Sequence, residues 1–169
     1  MPGSGDILIL GLDPGSRHTG WGLVREVSGV LHMVDTGVIR VASLGDMDAR
    51  LGAIFQAVSG LIASHKPDEA AVEDVFVSKN PASALKLGQA RGAAIAACAV
   101  AGVKVHAYEP TVVKKSLVGA GRAEKSQVAF MVAQVLGWRK PVAEDASDAL
   151  AVAVCHLNQR RFKRLSGVS

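Results

Sequence analysis

The chain has 169 residues with 19 basic and 15 acidic side chains, a formal charge of +4, and 49% hydrophobic and 20% charged residues, a length and balance that suit one domain with its own core and exclude a disordered chain. The uncharged runs, Leu51–His65 the longest and the apolar Gly92–Val103 among them, are too short to span a bilayer, which takes ~20 apolar residues. The two cysteines, Cys98 and Cys155, form no CxxC or Cys/His cluster, so neither a zinc site nor a disulfide framework is indicated, and a reducing, cytoplasmic setting is expected.

Residues 1–5 read as a flexible leader with no apolar signal region. Ile7–Leu12 is a short apolar strand stopped by Asp13-Pro14-Gly15. Gly20–Val27 and Val30–Val41 are two more strands, with Ser28-Gly29 as the hairpin turn between them. Asp46 or Asp48 caps a helix to about His65, whose apolar positions Leu51, Ile54, Phe55, Val58, Leu61 and Ile62 follow the helical period. Ala70–Val75 is a strand, Asn80-Pro81 opens a long helix to about Ala101, and Val103–Ala107 is a fifth strand. Helices over Pro110–Leu117, Glu124–Leu136 and Asp145 to about Arg161 follow, and the basic tail 162–169 is expected to fray. The order β-β-β-α-β-α-β-α-α-α predicts an α/β domain over 6–161 with a mixed five-stranded sheet and helices on both faces.

Acidic residues interrupt this apolar pattern at informative places. Asp13 ends an apolar strand; alone, it reads as an ordinary turn former. Glu73 and Asp74 lie within an apolar strand and point to opposite faces, so one can join a site while the other meets solvent; an edge strand with one wetted face explains them equally well. Asp145 and Asp148 share a face of the last helix. Acids in a first turn complement the helix dipole, but this face continues inward through Val152 and Cys155 or His156. Four such carboxylates gathered at one sheet edge would repel and protonate unless hard divalent cations joined them. Mg2+ or Mn2+ suits an all-oxygen site, and a pair of ions there suits phosphodiester hydrolysis.

Five blocks along the chain resemble the RuvC family of Holliday junction resolvases. They are Gly11-Leu12-Asp13-Pro14-Gly15-Ser16-Arg17-His18-Thr19-Gly20, Glu73-Asp74-Val75-Phe76 leading into Lys79-Asn80, Ser83 to Gly92, Gly121 to Gln127, and Asp145-Ala146-Ser147-Asp148-Ala149-Leu150-Ala151. They stand in the family's order over roughly residues 7–157. The resemblance implies an RNase H-like fold, a homodimer, four-way junction DNA as substrate, two symmetric nicks, an Mg2+ requirement, and work downstream of the RuvA–RuvB branch-migration machine. It matches Asp13, Glu73, Asp145 and Asp148 to the family's catalytic, metal-holding acids. It matches Lys114 and Lys125 to lysines near the scissile DNA, and Phe76 to an aromatic set against junction bases. Two departures stand out: Asp74 replaces a usual Gln, and Asp145 stands where some members have His.

With that resemblance, Lys79, Lys114, Lys115, Arg122 and Lys125 become expected DNA contacts, and Lys125 can also neutralise charge in the transition state. Without it they read as a solvated face. The long helix is rich in small residues (Ala84, Gly88, Gly92, Ala96, Ala99), which suits either a dimer contact, with Ala90 as a probe position, or burial on the chain's own sheet. The five histidines show no ligand spacing and carry no assignment, and Arg160 to Arg164 read as a solubilising tail. Competing readings are a sugar-kinase-like ATPase, for which the chain is too short, a junction-binding protein without cutting activity, and a nuclease for RNA–DNA hybrids.

Overall fold

The structure, a computed structural model, describes residues 5–74 and 80–167. Phe76 and Lys79 lie outside the described residues. Among the described residues, five strands form one sheet in the order β3-β2-β1-β4-β5. They are β1 (Ile7–Asp13), β2 (His18–Val27), β3 (Val30–Arg40), β4 (Glu69–Glu73) and β5 (Lys104–Tyr108). β1, β2 and β3 are antiparallel neighbours, whereas β4 and β5 run parallel to β1. Ser28 and Gly29 both take positive φ, 50° and 84°, the two-residue turn whose twist matches its flanking strands.

Among the described residues, five α-helices cover the sheet: α1 (Met47–His65), α2 (Pro81–Val100), α3 (Pro110–Val118), α4 (Lys125–Leu136) and α5 (Glu144–Ser166). Strand alternation sorts the core into two layers. Leu8, Leu10 and Leu12 of β1 pack toward α1 and α2, with Ile54, Val58, Ala90, Ala94 and Ala97. Ile7 and Ile9 face the other side, toward α3, α4 and α5. Asp13 belongs to this second row by its two-residue period.

α5 lies on that face almost without a side-chain cushion. A Cβ at Gly11 would come within 2.0 Å of the Ala149 carbonyl oxygen, and one at Gly20 within 1.9 Å of the Asp145 carbonyl oxygen. At Gly22 it would strike Leu150 Cδ2 at 2.5 Å. Gly11 pairs with Gly22 and Asp13 with Gly20, so adjacent strands present one glycine floor to the helix. This floor seats Asp145 and Asp148 beside the end of β1.

Two expectations change. The tail does not fray at Arg161: α5 continues to Ser166 and stops at Gly167, which takes φ 65°. Arg160 holds Glu69 at 2.6 Å, and Arg161 donates to Glu26 and to the Gly29 carbonyl, so the basic segment is tied to the sheet while the helix runs on. On α2, Ala90 is wholly buried within the chain, whereas Gly88, Gly92, Ala96 and Ala99 are exposed. A change at Ala90 therefore probes folding, and the small-residue stripe lies one face away.

Candidate active site

Asp13 ends β1, Glu73 ends the parallel strand β4, and Asp145 and Asp148 occupy the first two turns of α5. The turn after Asp13 is held by Thr19, fully buried, whose Oγ1 contacts both the Gly15 N–H and the Gly15 carbonyl. Asp13, Asp145 and Asp148 each offer a carboxylate oxygen within 4.8 Å of the other two. Glu73 stands outside that triad, yet its charge raises Asp13, and the charge of Asp148 raises Glu73.

Burial and mutual repulsion dominate the electrostatics. Burial, then the charges of Asp148, Asp145 and Glu73, push the Asp13 carboxyl up to about 7. Burial and Asp148 raise Glu73. Asp148 is also raised by burial, although Lys125 opposes the shift. Such a crowded, half-buried set of acids lacks positive charge. Its donors are all oxygens, which fits a hard divalent cation.

Two lysines give partial relief. Lys125 reaches Asp148 at 2.9 Å and Glu144 at 2.6 Å. It begins α4, whose start is fixed by a capping box between Glu124 and Gln127. Lys114, half-buried on α3, lowers Glu73 through its charge. Lys115 on α3 and Arg122 ahead of α4 are exposed. Asp74 takes the opposite side from Glu73, as alternation requires, and pairs with Arg91 of α2 at 2.8 Å.

Three features escape sequence reading. Glu144, fully exposed, becomes the second partner of Lys125; it falls in a stretch that reads as loop. The glycine floor carries no residue-level signal until β1 and β2 are paired. A second polar cluster, Glu69 with His106, Tyr108 and His156, forms beside the opposite end of β4 from residues far apart in the chain.

Residues 9–156 match the family described as crossover junction endodeoxyribonuclease RuvC. A protein of that description from Solidesulfovibrio magneticus is 70% identical, with 99% of each chain covered. The solved RuvC of Thermus thermophilus is 33% identical, superposes with a TM-score of 0.84, and covers 92% of this chain and 96% of its own. The same enzyme in complex with a Holliday junction substrate gives a TM-score of 0.83 at 32% identity, over 92% of this chain and 96% of that one.

Proposed function

The chain belongs to the RuvC family of crossover junction endodeoxyribonucleases, with an RNase H-like fold, and we propose that it resolves four-way DNA junctions in recombination and repair by paired symmetric nicks. The observation that carries this reading is the convergence of Asp13, Asp145 and Asp148, with Glu73 beside them, at one edge of the sheet. These acids would hold Mg2+, for which Mn2+ would substitute, with two ions per site when DNA is bound. Bound there, the ions supply an activated water and charge on the leaving oxygen.

The chain's own residues do the rest. Asp13, whose carboxyl is raised by burial and by the neighbouring acids, would release its proton on binding a cation. Lys125 keeps one partner inside the site, Asp148, and one outside, Glu144, so an incoming phosphate can displace the exposed Glu144. Lys114, Lys115 and Arg122 extend the positive charge along the backbone path of the DNA. Phe76 stacks on junction bases and Lys79 contacts phosphate.

A homodimer supplies the two nicks. Supporting it is the exposed stripe of α2, where a Cβ at Gly88 or Gly92 meets nothing within 4 Å, leaving room for a second helix to approach. Gly92→Glu is expected to yield monomers by light scattering; a retained dimer moves the interface elsewhere. The enzyme works in the cytoplasm after the RuvA–RuvB complex; among the described residues no helix is long and apolar enough to cross a membrane.

The decisive assay compares four-way junctions, forks, RNA–DNA hybrids and plain duplex, with and without Mg2+. Cleavage of junctions alone, lost in EDTA, is expected. Asp13→Asn should lower cleavage about 1,000-fold or more while junction binding in a gel shift persists. Preference for hybrid or plain duplex, or a cutting Asp13→Asn variant, overturns the reading.

A further inference from the structure

A second set of metal-ligating side chains lies on the same face of the sheet as the acids, roughly 12 Å along α5 from Asp148 by helix rise. Glu69 opens β4, His106 lies on the edge strand β5, and His156 is on the buried face of α5. The ligand atoms of these three residues all fall within 4.8 Å of one another. His156 Nε2 is 2.6 Å from Glu69 Oε2, and His106 Nε2 is 3.2 Å from that same oxygen. The two imidazoles stack with centroids 4.5 Å apart.

Hydrogen bonds around the cluster have the form that supports metal ligands. Tyr108 Oη meets His156 Nδ1 at 2.5 Å, leaving Nε2 to face inward. Arg160 holds Glu69 Oε1 at 2.6 Å, leaving Oε2 to face inward. Ligating histidines commonly have the second ring nitrogen fixed in this way, and ligating carboxylates the second oxygen. His106 Nε2 is buried without a hydrogen-bond partner despite its position beside the carboxylate. The nitrogen lies 3.2 Å from the carboxylate without hydrogen-bond geometry, a placement that a cation held between the two would satisfy.

We propose that Glu69, His106 and His156 form a second metal site, distinct from the four acids, that takes a borderline divalent transition-metal ion such as Zn2+ and ties β4, β5 and α5 together. Two nitrogens and one oxygen suit Zn2+ and its neighbours, with water as a fourth ligand, and suit Mg2+ poorly. Bonds of about 2.1 Å in a tetrahedral site separate donors by about 3.4 Å, so Glu69 needs only a small swing from His156. Binding would take the neutral Nδ1–H tautomer of His156: Nε2 gives up its proton, Nδ1 gains one, and this N–H donates to the Tyr108 oxygen, whose own hydrogen turns away. Burial lowers both histidines, which keeps the imidazoles neutral and able to bind at neutral pH. Arg160, Lys104 and Lys163 surround the cluster with positive charge, which weakens the affinity of the site.

The test titrates Co2+, then Zn2+, into the full-length protein after chelation, with Mg2+ in excess to occupy the acids. One Co2+ per chain with the visible absorption of a tetrahedral N/O site, displaced by Zn2+, is expected. Asp13→Asn should bind Co2+ as wild type does. His106→Ala should weaken binding about 100-fold or more, and Tyr108→Phe, which keeps the ring, about tenfold. Circular dichroism and the melting temperature in EDTA establish that each variant is folded. An absent Co2+ spectrum, binding unchanged in His106→Ala, or binding lost in Asp13→Asn overturns the proposal.

Discussion

Glu69 and Glu73 stand at the two ends of the five-residue strand β4, point to the same face, and meet the same helix, yet their carboxyls shift in opposite directions. Burial and Asp148 raise Glu73. Burial also opposes ionisation of Glu69, but the His156 hydrogen bond and the Arg160 charge outweigh it and hold that carboxyl low. One end of the strand is short of positive charge and the other is supplied with it. Burial of carboxylates without internal positive charge is what marks the four-acid cluster, whereas at Glu69 the chain supplies that charge itself.

The largest test of this contrast exchanges each acid for its amide. Glu73→Gln should lower junction cleavage about 1,000-fold while leaving the chelated protein at least as stable as wild type in urea, because it removes a repelled charge. Glu69→Gln should do the reverse: cleavage within a few-fold of wild type, and a loss of about 2 kcal/mol in chelated protein as Arg160 and His156 lose their partner. Equal stability changes for the two variants would dissolve the distinction.

Next in size is the seat of α5. Gly20→Ala places a Cβ against the Asp145 carbonyl and should cost about 2 kcal/mol in urea unfolding, with a loss of cleavage beyond what stability explains. A stability effect of similar size, without a further readout, concerns pH dependence. Asp13 binds its proton more tightly folded, at about 7, than its ordinary 3.8, so its contribution favours the fold at low pH and is lost as pH rises through that interval. In EDTA, Asp13→Asn should therefore gain about 2 kcal/mol on wild type between pH 5 and 8, and saturating Mg2+ should reverse the gain. A pH-independent difference would remove Asp13 as the titrating group.

The order of elements is legible in the sequence because turn residues punctuate it. Asp13-Pro14-Gly15, Ser28-Gly29, Asn80-Pro81 and Gly137 all fall at element ends. The opposite facing of Glu73 and Asp74 follows from strand alternation alone, and Arg91 confirms which acid turned away. The sheet order β3-β2-β1-β4-β5 is not readable from one chain, because register depends on partners distant in sequence. The Glu69, His106 and His156 cluster is hidden for the same reason: only the pairing of β4 with β5, and their packing under α5, brings those residues together. The last turns of α5 were obscured by their charge, which reads as a tail until Glu26 and Glu69 are seen to hold Arg161 and Arg160.

The glycines beneath α5 also set a manufacturing tolerance. Where a helix rests on side chains, its height can be adjusted by exchanging one aliphatic residue for another. Here Gly11 and Gly20 bring main chain against main chain, so the gap between Asp13 and the α5 acids is already at its minimum. It can be widened by a single methyl group but not narrowed. For the metal site proposed above, the floor is therefore the handle toward larger ions, whereas a shift toward smaller ones must begin with the carboxylates themselves.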